Sequence, residues 1–339
     1  MRLGNGRPQL LPPAPDRGRV SSDLGSGMST FSLILSRRNP TSTPPLVATK
    51  PMSSTPSDLK GLRQRLDEID DRLQDLLIER AEVVSLVAAT KRGSDRPAHQ
   101  PAREAQIIRR RVGRHHGIFP VATLVRMWRE MLAATVRLQS PFSVAVFAPC
   151  ERQECWDLAR DHYGSNTPMR AYNTPLDVIK AVSEGDASVG VVPMFRTDEA
   201  DPWWPQLLLP NTNTPRVIAR LPFGSRGNAR ADGIDALAIG HGEYQESGLD
   251  RTLLGGEYVA DIGRAQILKI LSALGLVCTF LASSGNGRAA TVFEIDGFVP
   301  AGDPRLDRFR AEMGGTLRSL VPLGGYAVPL PAMASAARG

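Results

Sequence analysis

The sequence predicts a multidomain chain: an all-α unit of three helices, then an α/β layer, then a closing α+β region of ferredoxin-like pattern. Three observations predict it. A long apolar seam with helical period begins abruptly at Leu59, the periodicity turns mixed after Pro141, and strand and helix signals alternate from there to the C-terminal end. At 339 residues the chain is long enough for two or three cores.

Residues 1–56 are rich in Pro, Gly, Ser and Arg and show no apolar periodicity. Such a segment cannot bury enough surface to offset its chain entropy, so it is expected to be a disordered N-terminal extension. It is basic and acid-poor like a transit peptide, but a leader upstream of the true start at Met28 or Met52, rather than Met1, is the simpler expectation.

The helical unit is expected over residues 57–139. Leu59, Leu62, Leu66, Ile69, Leu73, Leu76, Val83 and Val87 recur in steps of three and four, which is a coiled-coil seam. Pro56-Ser57-Asp58 supplies a start and Gly93, after Lys91-Arg92, a stop. The helix would span about 33 residues, on the order of 50 Å. A stripe that long needs partners, which points to a dimer. A second helix is expected near 101–112 and a third over 121–139, where Leu124, Trp128, Met131, Leu132 and Val136 share a face.

After Ser140-Pro141, a strand at 143–147, helices at 153–163 and 176–183, and a buried strand at 188–192 read as an open α/β layer. Residues 195–232 carry Pro, Asn and Arg and weak structural signals. From residue 235 the expectation is strand 236–240, helix 262–274, strands 277–282 and 290–296, helix 304–317 and a last strand at 326–328, a β-α-β-β-α-β pattern. Residues 331–339 read as a disordered tail.

Charge and composition narrow the function classes. The formal net charge is +6, yet residues 1–56 and 57–139 each carry a surplus of five positive charges and the remainder a deficit of four. The cationic part of the helical unit is mostly Arg. No aromatic interleaving or nucleic-acid reader motif accompanies it, so a nucleic-acid partner is not expected. A small polyanion fits better, because guanidinium forks grip carboxylates. No apolar run approaches the roughly 20 residues of a membrane helix. Three cysteines, Cys150, Cys155 and Cys278, make no disulfide framework and suggest a reduced, cytoplasmic compartment. The Cys150-x4-Cys155 spacing lacks a second ligand pair, so neither a metal nor another cofactor is expected.

The informative residues of the helical unit are polar groups that interrupt apolar seams. Arg80 stands between Leu76 and Val83 where a Leu belongs, and Arg63, Asp70 and Lys91 share a flank at multiples of seven. On the third helix the stripe runs on into Thr135 and Gln139. A charge within a helical interface is costly unless paired. For Arg80 alone, an ion pair fixing helix register would suffice. For the whole set, cations outnumber the carboxylates on their flank, which leaves room for an anion.

Leu62-Arg63, Asp70, Glu79-Arg80, Lys91, Arg96-Pro97, Arg103-Glu104 and the run from Trp128-Arg129-Glu130-Met131 to Gln139 resemble the all-helical chorismate mutase family in order and spacing. The resemblance implies an intertwined homodimer with shared active sites that bind chorismate and rearrange it to prephenate. It implies that Arg63 reaches into the neighbouring chain's site to grip a carboxylate and that Arg80 grips the other. Lys91 and Gln139 would donate to the ether oxygen of the breaking bond. Arg103 and Glu104 form the second-helix pair, Glu104 accepting from the substrate hydroxyl, and Thr135 stands near a carboxylate. Gln100 occupies a position that is often Asp in the family, and it cannot balance charge. His115-His116 reads as a solvated loop with no part in the chemistry.

The region beyond Pro141 resembles a degenerate prephenate dehydratase at 140–232 followed by an ACT-like region at 233–330. Ala181-Val182-Ser183-Glu184-Gly185-Asp186 through Val191-Val192-Pro193-Met194 carries the first likeness, but Phe195-Arg196-Thr197 replace its polar end and no Thr-Arg-Phe motif is present. Val321 to Tyr326 carries the second, while Ile262-Gly263-Arg264 and Leu281 to Ser284 stand where effector motifs belong. Two other readings compete: a bifunctional chorismate mutase/prephenate dehydratase, and a non-catalytic helical interaction module.

Overall fold

The structure is a computed structural model that describes residues 58–91, 97–196, 199, 202–227, 234–259, 262–284 and 289–331. The expected extension at 1–56 with its start codons, the helix stop at Gly93, Arg96, and the tail beyond 331 lie outside the described residues. The chain divides at Leu62 into two compact units. Of the first, the described part is the start of a helix, where the Asp58 carboxylate accepts from the Gly61 amide at 3.2 Å as an N-cap does.

Three helices open the fold: α1 (Leu59–Thr90), α2 (Pro101–Gly113) and α3 (Val121–Gln139). Pro101 starts α2 at a position whose amide needs no partner, and Glu104 in its first turn complements the helix dipole. Helix α1 has no buried residue, and Leu66 and Leu76 on its seam are each 59% exposed. Helices α2 and α3, by contrast, are anchored. Ala105, Ile108 and Leu132 pack with Phe223 and Ala327. The Glu130 carboxylate accepts from the Ser165 amide at 3.0 Å, and Arg137 donates to the Asn166 carbonyl at 2.6 Å. Arg109 donates to the carbonyls of Val328 and Leu249 at 2.7 and 2.8 Å.

The rest of the chain builds one nine-stranded sheet. Its first part comprises β1 (Val144–Phe147), α4 (Glu154–Tyr163), β2 (Met169–Tyr172), α5 (Pro175–Ser183), β3 (Val189–Pro193), β4 (Arg216–Leu221) and β5 (Ala236–Gly240). Strands run β2-β1-β3 in parallel, and β5 and then β4 continue the sheet antiparallel. The core strands β1, β3 and β5 are buried throughout, as an apolar run covered on both faces requires. The second part holds β6 (Asp250–Tyr258), α6 (Arg264–Ala273), β7 (Cys278–Ser284), β8 (Ala289–Asp296), α7 (Pro304–Met313) and β9 (Leu317–Ala327). Its strand order is β9-β6-β8-β7, all antiparallel, the order of a β-α-β-β-α-β unit.

The two parts meet where β4 pairs β9 in parallel at Val217 and Gly324. Gly324 has φ +103°, and a Cβ there would lie 2.1 Å from the Val217 carbonyl oxygen. Only glycine permits both the conformation and the approach.

Several expectations need correction. Strand 236–240 pairs β3 and β4 and so does not open the ferredoxin-like pattern; β6 does. Gly255-Gly256 hides β6 in the sequence, because paired glycines read as a turn. Here a side chain at 255 would strike Leu208 at 2.2 Å, so the strand needs glycine to pack. The described residues of 195–232 are better ordered than expected: they hold β4 and a 3₁₀ turn at Trp204–Leu208, with Trp203 and Trp204 buried. Strand β2 adds a parallel edge where only two helices were expected. Helix α7 ends at Met313 because Gly314 turns the chain, and the last strand is eleven residues long instead of three. No helix among the described residues is long and apolar enough to cross a membrane.

Candidate active site

The C-terminal end of α1, the N-terminal end of α2 and the C-terminal end of α3 converge on a cavity of about 590 Å³. Lys91, Gln100 and Gln139 line it, one from each helix or its flank, together with His99, His241 and Tyr244. The Gln139 amide nitrogen donates to the Thr135 carbonyl at 3.0 Å, and that of Gln100 to the Pro97 carbonyl at 3.2 Å. Each amide nitrogen carries a second N–H that can serve a guest. Lys91 and the two amides thus offer donors to a guest, and Glu243 adds a carboxylate to the same wall.

The other expected site residues stand elsewhere. Arg63 is exposed on α1. Arg80 is half-buried one side of Trp128, its guanidinium carbon 5.9 Å from the ring centroid. Burial, and then the neighbouring Arg111, hold its pKa below the usual arginine value. Arg103 is exposed and donates to Gln106 at 3.4 Å. Thr135 is buried, with its hydroxyl donating back to the Leu132 carbonyl at 2.9 Å. Glu104 is buried too, and its carboxylate accepts from Arg129 at 3.0 Å. Thus Lys91, Gln100 and Gln139 share one cavity, whereas Arg63, Arg80, Arg103, Glu104 and Thr135 do not line it.

Sequence reasoning missed the group that holds Glu104. Arg129 is only 5% exposed, with its guanidinium over the Phe223 ring at 4.9 Å. His99 lies 3.9 Å from the other Glu104 oxygen and makes a tilted ring contact with Phe142 and an edge-on one with Tyr163. Burial lowers the pKa of His99 despite the opposing pull of Glu104, so it favours the neutral form. The signal for Arg129 was present: Val125, Arg129, Leu132 and Val136 recur at helical spacing, which puts the arginine on the buried face. Glu243, which supplies a carboxylate to the cavity wall from the loop after β5, carries no comparable signal.

Comparison with known proteins adds to this geometry. Residues 62–140 match the family chorismate mutase type II. Two curated relatives are bifunctional chorismate mutase/prephenate dehydratases. That of Aquifex aeolicus is 31% identical over 146 residues, covering 42% of this chain and 40% of the relative. That of Pseudomonas aeruginosa is 30% identical over 149 residues, with the same coverage. The chain therefore spans about two fifths of the length of the curated relatives it matches. Among solved structures, the prephenate dehydratase of Streptococcus mutans is 13% identical with a TM-score of 0.40, covering 56% of this chain and 98% of that one. Residues 62–140 thus carry the chorismate mutase type II match, in a chain similar to proteins that join a chorismate mutase to a prephenate dehydratase.

Proposed function

We propose that the helical segment is a chorismate mutase, rearranging chorismate to prephenate for phenylalanine and tyrosine biosynthesis, and that it works as a homodimer with active sites shared between chains. The observation that carries the reading is the cavity where Lys91, Gln100 and Gln139 meet from three helices. The bare seam of α1 supports the dimer: a 32-residue helix without a single buried residue leaves its leucines to be covered by another helix. In that assembly Arg63 of each chain serves the neighbour's site.

The chemistry asks little beyond placement. The rearrangement is intramolecular, so it needs no nucleophile and no proton shuttle. Catalysis consists of holding the reactive conformer and stabilising the charge that builds on the ether oxygen. Lys91 and Gln139 are the donors suited to that oxygen, and each such donor in a water-poor pocket typically contributes about 3–4 kcal/mol to the barrier. Arg80 and the second chain's Arg63 take the carboxylates. Arg103, Glu104 and Thr135 belong to the same reading, with Glu104 turning from Arg129 to the substrate hydroxyl when the site closes on its ligand.

Following the loss of chorismate with the purified chain tests the reading. Lys91→Ala is expected to cost at least about two orders of magnitude in rate, the loss of one charge-stabilising donor, while the dimer persists. Near-normal turnover would remove Lys91 from the mechanism.

The region after Pro141 is read as a dehydratase-like layer that has lost its catalytic motif, followed by an ACT-like unit, which the antiparallel order β9-β6-β8-β7 supports. A bifunctional enzyme is the second reading, favoured by the relatives' names, and formation of phenylpyruvate from prephenate distinguishes the two. The three free cysteines support a reduced, cytoplasmic setting.

A further inference from the structure

Most half-buried or buried arginines of this protein have an acid or a set of carbonyls to answer them. Arg129 has Glu104, Arg126 has Asp161, Arg220 and Arg226 share Asp235, and Arg109 donates to the Leu249 and Val328 carbonyls. Arg80 on α1 and Arg111 on α2 break the pattern. Their guanidinium carbons lie 5.9 and 4.5 Å from the centroid of the same ring, Trp128 on α3. Among the described residues neither has a carboxylate within ion-pair distance. Nη1 of Arg80 and Nε of Arg111 are buried without a hydrogen-bond partner.

The arrangement is unfavourable as it stands. Two guanidinium groups on one indole repel each other, and the cation–π attraction of each, on the order of 0.5–2 kcal/mol, does not satisfy a buried N–H. Arg110 and Arg114 add to the positive field around Arg111. A buried donor that faces a like charge and no acceptor awaits an anion. Planar guanidinium groups select a planar, bidentate acceptor, which is a carboxylate.

Arg80 and Lys91 are eleven residues apart on α1, as are Trp128 and Gln139 on α3, and Gln100 and Arg111 across α2. Eleven residues of α-helix advance about 16 Å in three turns, so Trp128 and Gln139 lie on one face of α3.

We propose that Arg80 and Arg111 form a two-guanidinium clamp, seated on Trp128, for one carboxylate of the dianionic substrate. Arg111 thereby becomes a substrate-binding residue in addition to those the family resemblance implies. The inference rests on the mutase reading for the identity of the ligand, though not for the existence of the clamp.

The test uses the full chain with Arg111→Gln, Arg111→Lys and, as a spectroscopic control, Trp128→Phe. Chorismate turnover and the change in tryptophan emission on adding prephenate are measured, with the oligomeric state checked by sedimentation. Loss of a charge-assisted hydrogen bond predicts a KM for chorismate raised about tenfold or more in Arg111→Gln. It predicts kcat within about threefold, because the lost contact binds substrate and transition state alike. Arg111→Lys should recover part of the affinity, and the prephenate-induced emission change should weaken in Arg111→Gln and vanish in Trp128→Phe. An unchanged KM and emission response in Arg111→Gln would overturn the clamp. So would collapse of both Arg111 variants to monomers, since the pair would then be answering a carboxylate of the second chain. Absence of turnover in the parent chain, with an Arg111-dependent emission change intact, would sink the mutase reading and keep the clamp.

Discussion

Glu104 and Arg129 form a buried ion pair between α2 and α3, and Glu104 is also one of the proposed site residues. Both are buried, the bond between them is 3.0 Å, and neutral His99 and Tyr163 close the surroundings. Removing one member of such a pair strands the other charge out of water. Glu104→Gln should therefore destabilise the protein by about 3–5 kcal/mol, read as a drop in the urea midpoint at unchanged slope. A variant as stable as the parent would mean that Arg129 finds another partner or reaches solvent. At this scale the sequence was partly legible. Arg80 stands out in a linear reading because it interrupts an apolar seam, and Lys91 because it shares a flank of that seam with Arg63 and Asp70. The pairing of Glu104 with Arg129 does not, because it joins residues 25 apart on two helices, and only the fold brings them within 3.0 Å.

At the level of elements, α1 differs from the other α-helices among the described residues, each of which buries part of a face. Helices α2 and α3 bury a face against the sheet through Ile108, Leu132 and Val136, whereas α1 leaves Leu66, Leu73 and Leu76 more than half exposed. Covering each leucine in a helix–helix seam contributes on the order of 2 kcal/mol, so the seam as a whole can drive association. If the proposed dimer forms through this seam, Leu76→Glu should yield a monomer in sedimentation without shifting the unfolding of the sheet, since Leu76 is 59% exposed. A dimer that survives this change would place the interface away from α1. The period of this helix was plain in the sequence because a solvent-facing stripe over 32 residues has no other reading. Strand β6 was not, because its central Gly255-Gly256 is shaped by contacts with Leu208 and Tyr258 that lie far off or beyond local pattern. The same holds for Trp203 and Trp204, buried in a segment whose prolines suggest a loop.

Taken whole, the molecule fastens two of its three N-terminal helices to a nine-stranded sheet, whereas the third has no buried residue. The bonds from Arg109, Glu130 and Arg137 to the sheet region fix α2 and α3, and His241, Glu243 and Tyr244 extend the wall of the cavity beyond the helical segment. The helical region and the mixed α/β character after Pro141 were legible from periodicity, whereas the strand that opens the last part was not, since β6 and not residues 236–240 begins it. The joint between the α/β and ferredoxin-like parts was not legible either, because it depends on a single parallel pairing of Val217 with Gly324.

The central claim is that each catalytic pocket draws Lys91 from one chain and Arg63 from the other. Co-expressing Arg63→Ala and Lys91→Ala chains and assaying the mixed dimers for chorismate turnover tests it directly. In a two-fold dimer the mixed species contains one site with both lesions and one with neither, so random pairing should restore about a quarter of the parent activity from two inactive variants. Mixed dimers as inactive as either variant alone would contradict a site shared between chains.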